Sequence, residues 1–125
     1  MARGSTTLIR QEPTTKNLLL YRGDTFSLRV DVKDPDGNPL DISLATWDAD
    51  IRLTPTTTAV FDSFTVVPVE GDVTAVDCQL TADQVKLFPE TLYWDLEMTL
   101  NDWVTTLLAG KITVRVDVSR VEDTP

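Results

Sequence analysis

The sequence contains no histidine, one cysteine (Cys78) and five glycines. Without histidine the chain lacks the side chain most often used as a general base near neutral pH and as a transition-metal ligand. A lone cysteine excludes an intrachain disulfide and a zinc-binding cysteine cluster, so the fold does not depend on an oxidising compartment. No Gly-rich phosphate loop and no Ser nucleophile elbow are present. No apolar run approaches the roughly 20 residues of a membrane helix. The opening Met-Ala-Arg-Gly-Ser-Thr-Thr lacks the apolar core of a secretory leader, which points to synthesis in the cytoplasm.

What is present is an ordinary globular balance: 125 residues, 42% hydrophobic and 25% charged, enough for one domain with its own core. The formal charge is −9 and unevenly spread. Up to Arg22, the basic residues Arg3, Arg10, Lys16 and Arg22 face only Glu12; beyond it, 7 basic residues face 19 acidic ones. An acidic body disfavours nucleic acid and anionic membrane. A basic arm on such a body suits an acidic neighbour, including another copy of the same chain. Arg3, Arg10 and Lys16 are therefore candidate partner-binding residues.

Alternation with a period of two dominates the rest, the mark of strands with one buried face. Phe26, Leu28, Val30 and Val32 alternate with polar residues, as do Trp47, Ala49, Ile51 and Leu53. Leu92, Trp94, Leu96, Met98 and Leu100 do the same, as do Ile112, Val114, Val116 and Val118. Leu18 to Tyr21 suggest a first strand and residues 73 to 80 another; residues 59 to 67 are apolar but irregular. Reversals are expected at Asp34 to Pro39, at Pro68 to Asp72 and at Asn101-Asp102, with a bend or bulge at Gly110. Thr81 and Gln84 have capping-box spacing, and Leu80 and Val85 that of a hydrophobic staple. One short helix is predicted near residues 81 to 88, stopped by Pro89. Seven or eight short strands and no covering helix predict an all-β, two-sheet antiparallel sandwich. The expected organisation is a flexible basic arm over residues 1–16, the sandwich over 17–120 and a short acidic tail over 121–125.

Any chemistry would have to run on carboxylates. Asp95 and Glu97 share one strand face about 7 Å apart, a spacing open to a glycosidase pair or a cation, but they occupy the solvent phase where charges ordinarily sit. Asp34-Pro-Asp-Gly-Asn38 resembles part of a calcium loop without its distal glutamate, so a turn is the simpler reading. Arg22-Gly-Asp24 spells an adhesion tripeptide, yet Gly23 is explained by a turn. Cys78 lies in phase with Val76 and Leu80 and reads as core. Trp47 and Trp94 are in the buried phase. Trp103, beside the hairpin turn, is the aromatic expected to meet a partner or a glycan. No catalytic residue, metal ligand or cofactor is predicted.

Four segments together resemble a known family. They are Arg22-Gly-Asp-Thr-Phe-Ser-Leu-Arg-Val-Asp-Val-Lys-Asp-Pro-Asp-Gly-Asn38, Leu80-Thr-Ala-Asp-Gln-Val85, Leu92-Tyr-Trp-Asp-Leu-Glu97 and Gly110-Lys-Ile-Thr-Val-Arg-Val-Asp-Val-Ser-Arg120. Their succession, over residues 18 to 120, is similar to the immunoglobulin-like β-sandwich of tailed-bacteriophage virion proteins, among them siphophage tail-collar, fibre-attachment and baseplate N-terminal domains. The resemblance implies a non-enzymatic virion component, made in the bacterial cytoplasm, that oligomerises at the tail tip or anchors fibres. Its implied partners are other virion proteins and copies of itself. The chain ends just after the sandwich, which fits a collar or adaptor better than direct host recognition. A head or tail-tube decoration protein and a glycan-binding module are the alternatives.

Overall fold

In the computed structural model, which describes residues 13–116, the chain folds into two facing β-sheets. The larger sheet contains β1 (Thr14–Thr15), β2 (Leu18–Tyr21), β4 (Thr46–Arg52), β5 (Asp62–Ser63), β8 (Thr91–Leu100) and β9 (Trp103–Arg115). Its order is β1-β9-β8-β4-β5, with β2 following β1 along the same edge of β9. The smaller sheet is β3 (Phe26–Asp31), β7 (Asp72–Leu80) and β6 (Thr65–Val69), in the order β3-β7-β6. A short helix, α1 (Ala82–Lys86), connects β7 to β8. This order matches the immunoglobulin plan: β3, β7 and β6 stand as strands B, E and D, while β4, β8 and β9 stand as C, F and G, and β5 extends the latter sheet.

The all-β sandwich expected from the alternation is therefore present, with three differences. Among the described residues there are nine strands, because two-residue pairings such as β5 leave no periodic signature. The sheets are not wholly antiparallel, since β1 and β2 both run parallel to β9. And the sandwich begins before the expected arm ends: Thr14 and Thr15 pair with Leu108 and Ala109, and the Lys16 N–H donates to the Ala109 carbonyl at 2.9 Å. Residues 13–16 thus lie on the sheet edge, while residues 1–12, the rest of the expected arm, fall outside the described residues, as does the expected tail.

The inward phases of the strands form the core. Leu92, Trp94, Leu96 and Met98 of β8 face Val76, Cys78 and Leu80 of β7, with Ile51, Phe88 and Ile112 among the fully buried members. Where β5 gives way to β6 the chain crosses from one sheet to the other at buried Phe64, whose N–H donates to the Ala49 carbonyl at 2.9 Å. Its ring lies 5.2 Å from that of Trp94 and 6.2 Å from that of Phe26, so aromatic packing links the sheets where a disulfide is absent.

The helix forms as its spacing predicts. The Thr81 hydroxyl accepts from the Gln84 N–H at 3.1 Å, and the Gln84 side chain accepts from the Thr81 N–H at 2.8 Å. Leu80 and Val85 are both buried beneath it. The exposed ends of the inward series depart from expectation: Leu53 and Val116 lie one residue beyond their strands and are about half exposed. The turn expected over Pro68 to Asp72 is confined to Glu70-Gly71, because Pro68 and Val69 remain in β6 across a shift of register.

Gly110 marks neither a bend nor the bulge. The bulge lies nearby, at the step where Leu96 pairs with Leu108 but Glu97 pairs with Thr106. At Gly110 the reason for glycine is contact: a Cβ there would collide with the Lys16 carbonyl oxygen. That same oxygen accepts the indole N–H of Trp94 at 2.9 Å, and Trp94 is the residue paired opposite Gly110. A Gly110→Ala substitution is therefore expected to destabilise the fold by about 1–3 kcal/mol, read by chemical denaturation. Removing residues 1–16 is expected to leave the fold about 1–3 kcal/mol less stable than removing residues 1–12, because the buried indole loses its acceptor. Equal stability of the two truncations would refute that role for Lys16.

Candidate functional site

Alternation in β4 and β8 turns Asp48, Asp50 and Arg52 outward beside Tyr93, Asp95 and Glu97 on the solvent face of the larger sheet. The register sets like charges directly opposite one another: Asp48 pairs with Glu97, and Asp50 with Asp95. Such pairs cost stability in a sheet, and Arg52 offsets part of that cost. Its guanidinium lies 3.3 Å from Asp95 and 3.4 Å from Asp50, and Asp50 also accepts from the Ser63 hydroxyl at 3.2 Å. Burial pushes the Asp95 carboxyl above the ordinary carboxylate value, Arg52 pulls it down, and Asp50 and Asp48 push it up again. Asp95 and Arg52 also border an open cleft of about 420 Å³ with Thr15, Tyr93 and Lys111.

The Asp95–Glu97 pair singled out in the sequence thus lies in a row of charges, with Asp95 tied to Arg52. Among the described residues, no group of three or more His, Cys, Asp or Glu side chains is placed to hold a metal ion. The calcium-loop fragment closes on itself: one Asp34 carboxylate oxygen accepts the N–H groups of Asp36 at 2.9 Å and Asn38 at 3.0 Å, with Gly37 at φ +86°. In the adhesion-like tripeptide, Arg22 reaches the far end of the helix and donates to the Phe88 carbonyl at 2.6 Å and the Lys86 carbonyl at 3.2 Å, while Gly23 has φ +88°. Cys78 is fully buried, and burial pushes its thiol up to about 11, which makes it a poor nucleophile at neutral pH.

Of the residues expected to meet a partner, Trp103 and Lys16 are described; Arg3 and Arg10 fall outside the described residues. Trp103 opens β9 immediately after the Asn101-Asp102 turn, whose two residues have φ of +52° and +67°. Positive φ at both central positions is the primed hairpin geometry, reached here without glycine. Trp103 pairs with Leu100 on the core-facing phase but at the end of the sheet, and 53% of its surface stays exposed. Val104, on the opposite face, is equally exposed at 53%. Lys16 projects an exposed side chain from the same edge of the sheet, beside Ala109 rather than near Trp103. Trp47, expected in the core, packs against its margin as a partly buried residue and borders an apolar cleft of about 530 Å³ with Ile42, Val69 and Val73.

The opposed like charges are not legible in the sequence, because cross-strand register is set by the partner strand and leaves no mark within either segment. Nor is the role of Arg22, which depends on a contact with carbonyls more than sixty positions away.

No family model matches the sequence. No curated protein matches it either. Among solved structures, the BTLA ectodomain is similar at 15% identity and a TM-score of 0.46, over 85% of this chain and 95% of that one.

The carboxylates differ in sign of shift, which gives a pH test. Hydrogen bonds from Thr74 hold Asp72 below the ordinary value, and those from Ser43 do the same for Asp41. These two stabilise the fold above the ordinary value and lose that contribution as pH falls through their lowered pKa. Asp95 has the opposite sign: its folded form holds the proton more tightly, so it detracts from stability as pH rises through its raised pKa. In an NMR titration Asp95 should titrate above both Asp41 and Asp72, and Arg52→Ala should move it higher still. The reverse order would contradict the electrostatic account of this face.

Proposed function

We propose that this chain is a non-enzymatic structural protein of a tailed-phage virion, a tail-tip, collar or baseplate adaptor that holds neighbouring subunits through its sheet faces, edges and N-terminal arm. The observation that carries the reading is the exposed apolar pair Trp103 and Val104 at the hairpin tip, side chains suited to contact. Three groups that could do chemistry are engaged within the fold: Asp95 with Arg52, Asp34 within its own turn, Cys78 within the core. The succession of motifs from Arg22 to Arg120 supports the phage assignment.

In this reading the mechanism is geometric. A sandwich stiffened by its aromatic core presents fixed surfaces, and repetition around a symmetric tail multiplies weak contacts through high local concentration. The partners are other virion proteins and copies of the chain. Electron microscopy of intact particles, with the chain identified in them by mass spectrometry, is expected to place it at the tail tip. Density on the head or along the tube would assign a decoration role instead, and absence from particles would sink the proposal. Trp103→Ala should lower incorporation by about tenfold or more, as for a central aromatic anchor, with an unchanged circular dichroism spectrum.

A further inference from the structure

The edges of the two sheets are not equally protected. The edge strand β3 carries the exposed charges Arg29 and Asp31, β6 carries Pro68 and a shift of register, and β5 has only two residues. Each of these discourages addition of another strand. On the outer side of β9, β1 covers Leu108 and Ala109, and β2 covers Ile112 to Arg115. Among the described residues nothing pairs on that side with Trp103, Val104, Thr105, Thr106 or Leu107. This stretch contains no charge, proline or glycine, and it is the β-branched, apolar kind of edge that accepts a strand.

The chain's own first strand stops short of it. Pairing ends at Thr14 opposite Leu108, Pro13 is outside the strand, and the β9 bulge falls at the next step, where bulges commonly terminate pairing. Among the described residues β1 therefore stops one position short of the open stretch, and a proline that cannot donate to a ladder and a bulge in β9 separate the two. Residues 1–12 can reach about 40 Å when extended, whereas five edge residues span about 17 Å. Their charges, Arg3 and Arg10 against Glu12, complement the acidic surroundings of the edge, where Glu97 pairs with Thr106 and Asp102 adjoins Trp103.

We propose that the open edge Trp103–Leu107 of β9 is the docking surface for the N-terminal arm, residues 1–12, of a second copy of this chain. The inference rests on the assembly reading above and names its contact. Donor and acceptor lie on the same edge of one molecule, so two copies related by a two-fold axis can exchange arms reciprocally.

The test mixes full-length chains carrying Ile9→Cys with chains carrying Val104→Cys under mild oxidation, and compares Val60→Cys as an acceptor at another exposed position. Buried Cys78 contributes little background. The expected result is a mixed disulfide dimer at about tenfold the yield of the Val60→Cys control, because docking raises the local thiol concentration. Equal yields, or no dimer, overturn the proposal. So does a doubly substituted chain that closes its disulfide within one molecule, which would make the arm its own occupant. Particle imaging tests the assembly reading separately: a chain absent from virions whose arms still exchange in solution would sink that reading and leave the docking surface standing.

Discussion

Trp94 ties together three parts of the chain that are distant in sequence. Its ring packs on Phe64, where the polypeptide crosses between sheets; its indole N–H bonds to the Lys16 carbonyl, where the first strand turns onto the sheet; and it is paired opposite Gly110. Each contact depends on the others. The Lys16 carbonyl can approach only because residue 110 has no Cβ, and a buried indole N–H without that carbonyl would lose its hydrogen bond. In many immunoglobulin domains a disulfide pins the sheets; here hydrophobic burial and aromatic contact do so, while the indole hydrogen bond fastens the first strand within the larger sheet.

The parts of this architecture that were legible in the sequence are those governed by local pattern. Val30, Ile51, Leu92 and Leu96 could be assigned to the interior because a strand's side chains alternate, and Thr81 with Gln84 announced a helix start because both bonding groups lie within four residues. What could not be read depends on partners far along the chain. The parallel pairing of Thr14 and Thr15 with β9 gives no periodic signal, so the arm was expected to extend through Lys16. Trp47 has the correct phase and packs against the core but is only partly buried, since phase reports which face a side chain takes and not how far the opposing sheet extends. Trp103 was legible as an outlying aromatic because it follows a turn, although its pairing phase is inward.

The solvent face of β4 and β8 and the tip of β9 illustrate two ways a small sandwich departs from maximal stability. Opposed carboxylates at Asp48–Glu97 and Asp50–Asp95 tolerate repulsion that a mixed charge pattern would avoid. Trp103 and Val104 leave apolar surface in water that inward placement would bury. Local conflicts of this kind, set within an otherwise consistent fold, are where function is ordinarily found.

The grip of Arg22 on the Lys86 and Phe88 carbonyls has an effect on motion. Arg22 follows β2 directly, and its own N–H donates to the Arg115 carbonyl at the end of β9. Fraying of the helix would release the guanidinium, and peeling of the first strands would strip the helix of its last acceptors' partner. The N-terminal strand, the helix and the end of the final strand are thereby linked through one residue, a connection expected to make them open as a unit and their amide protons exchange together.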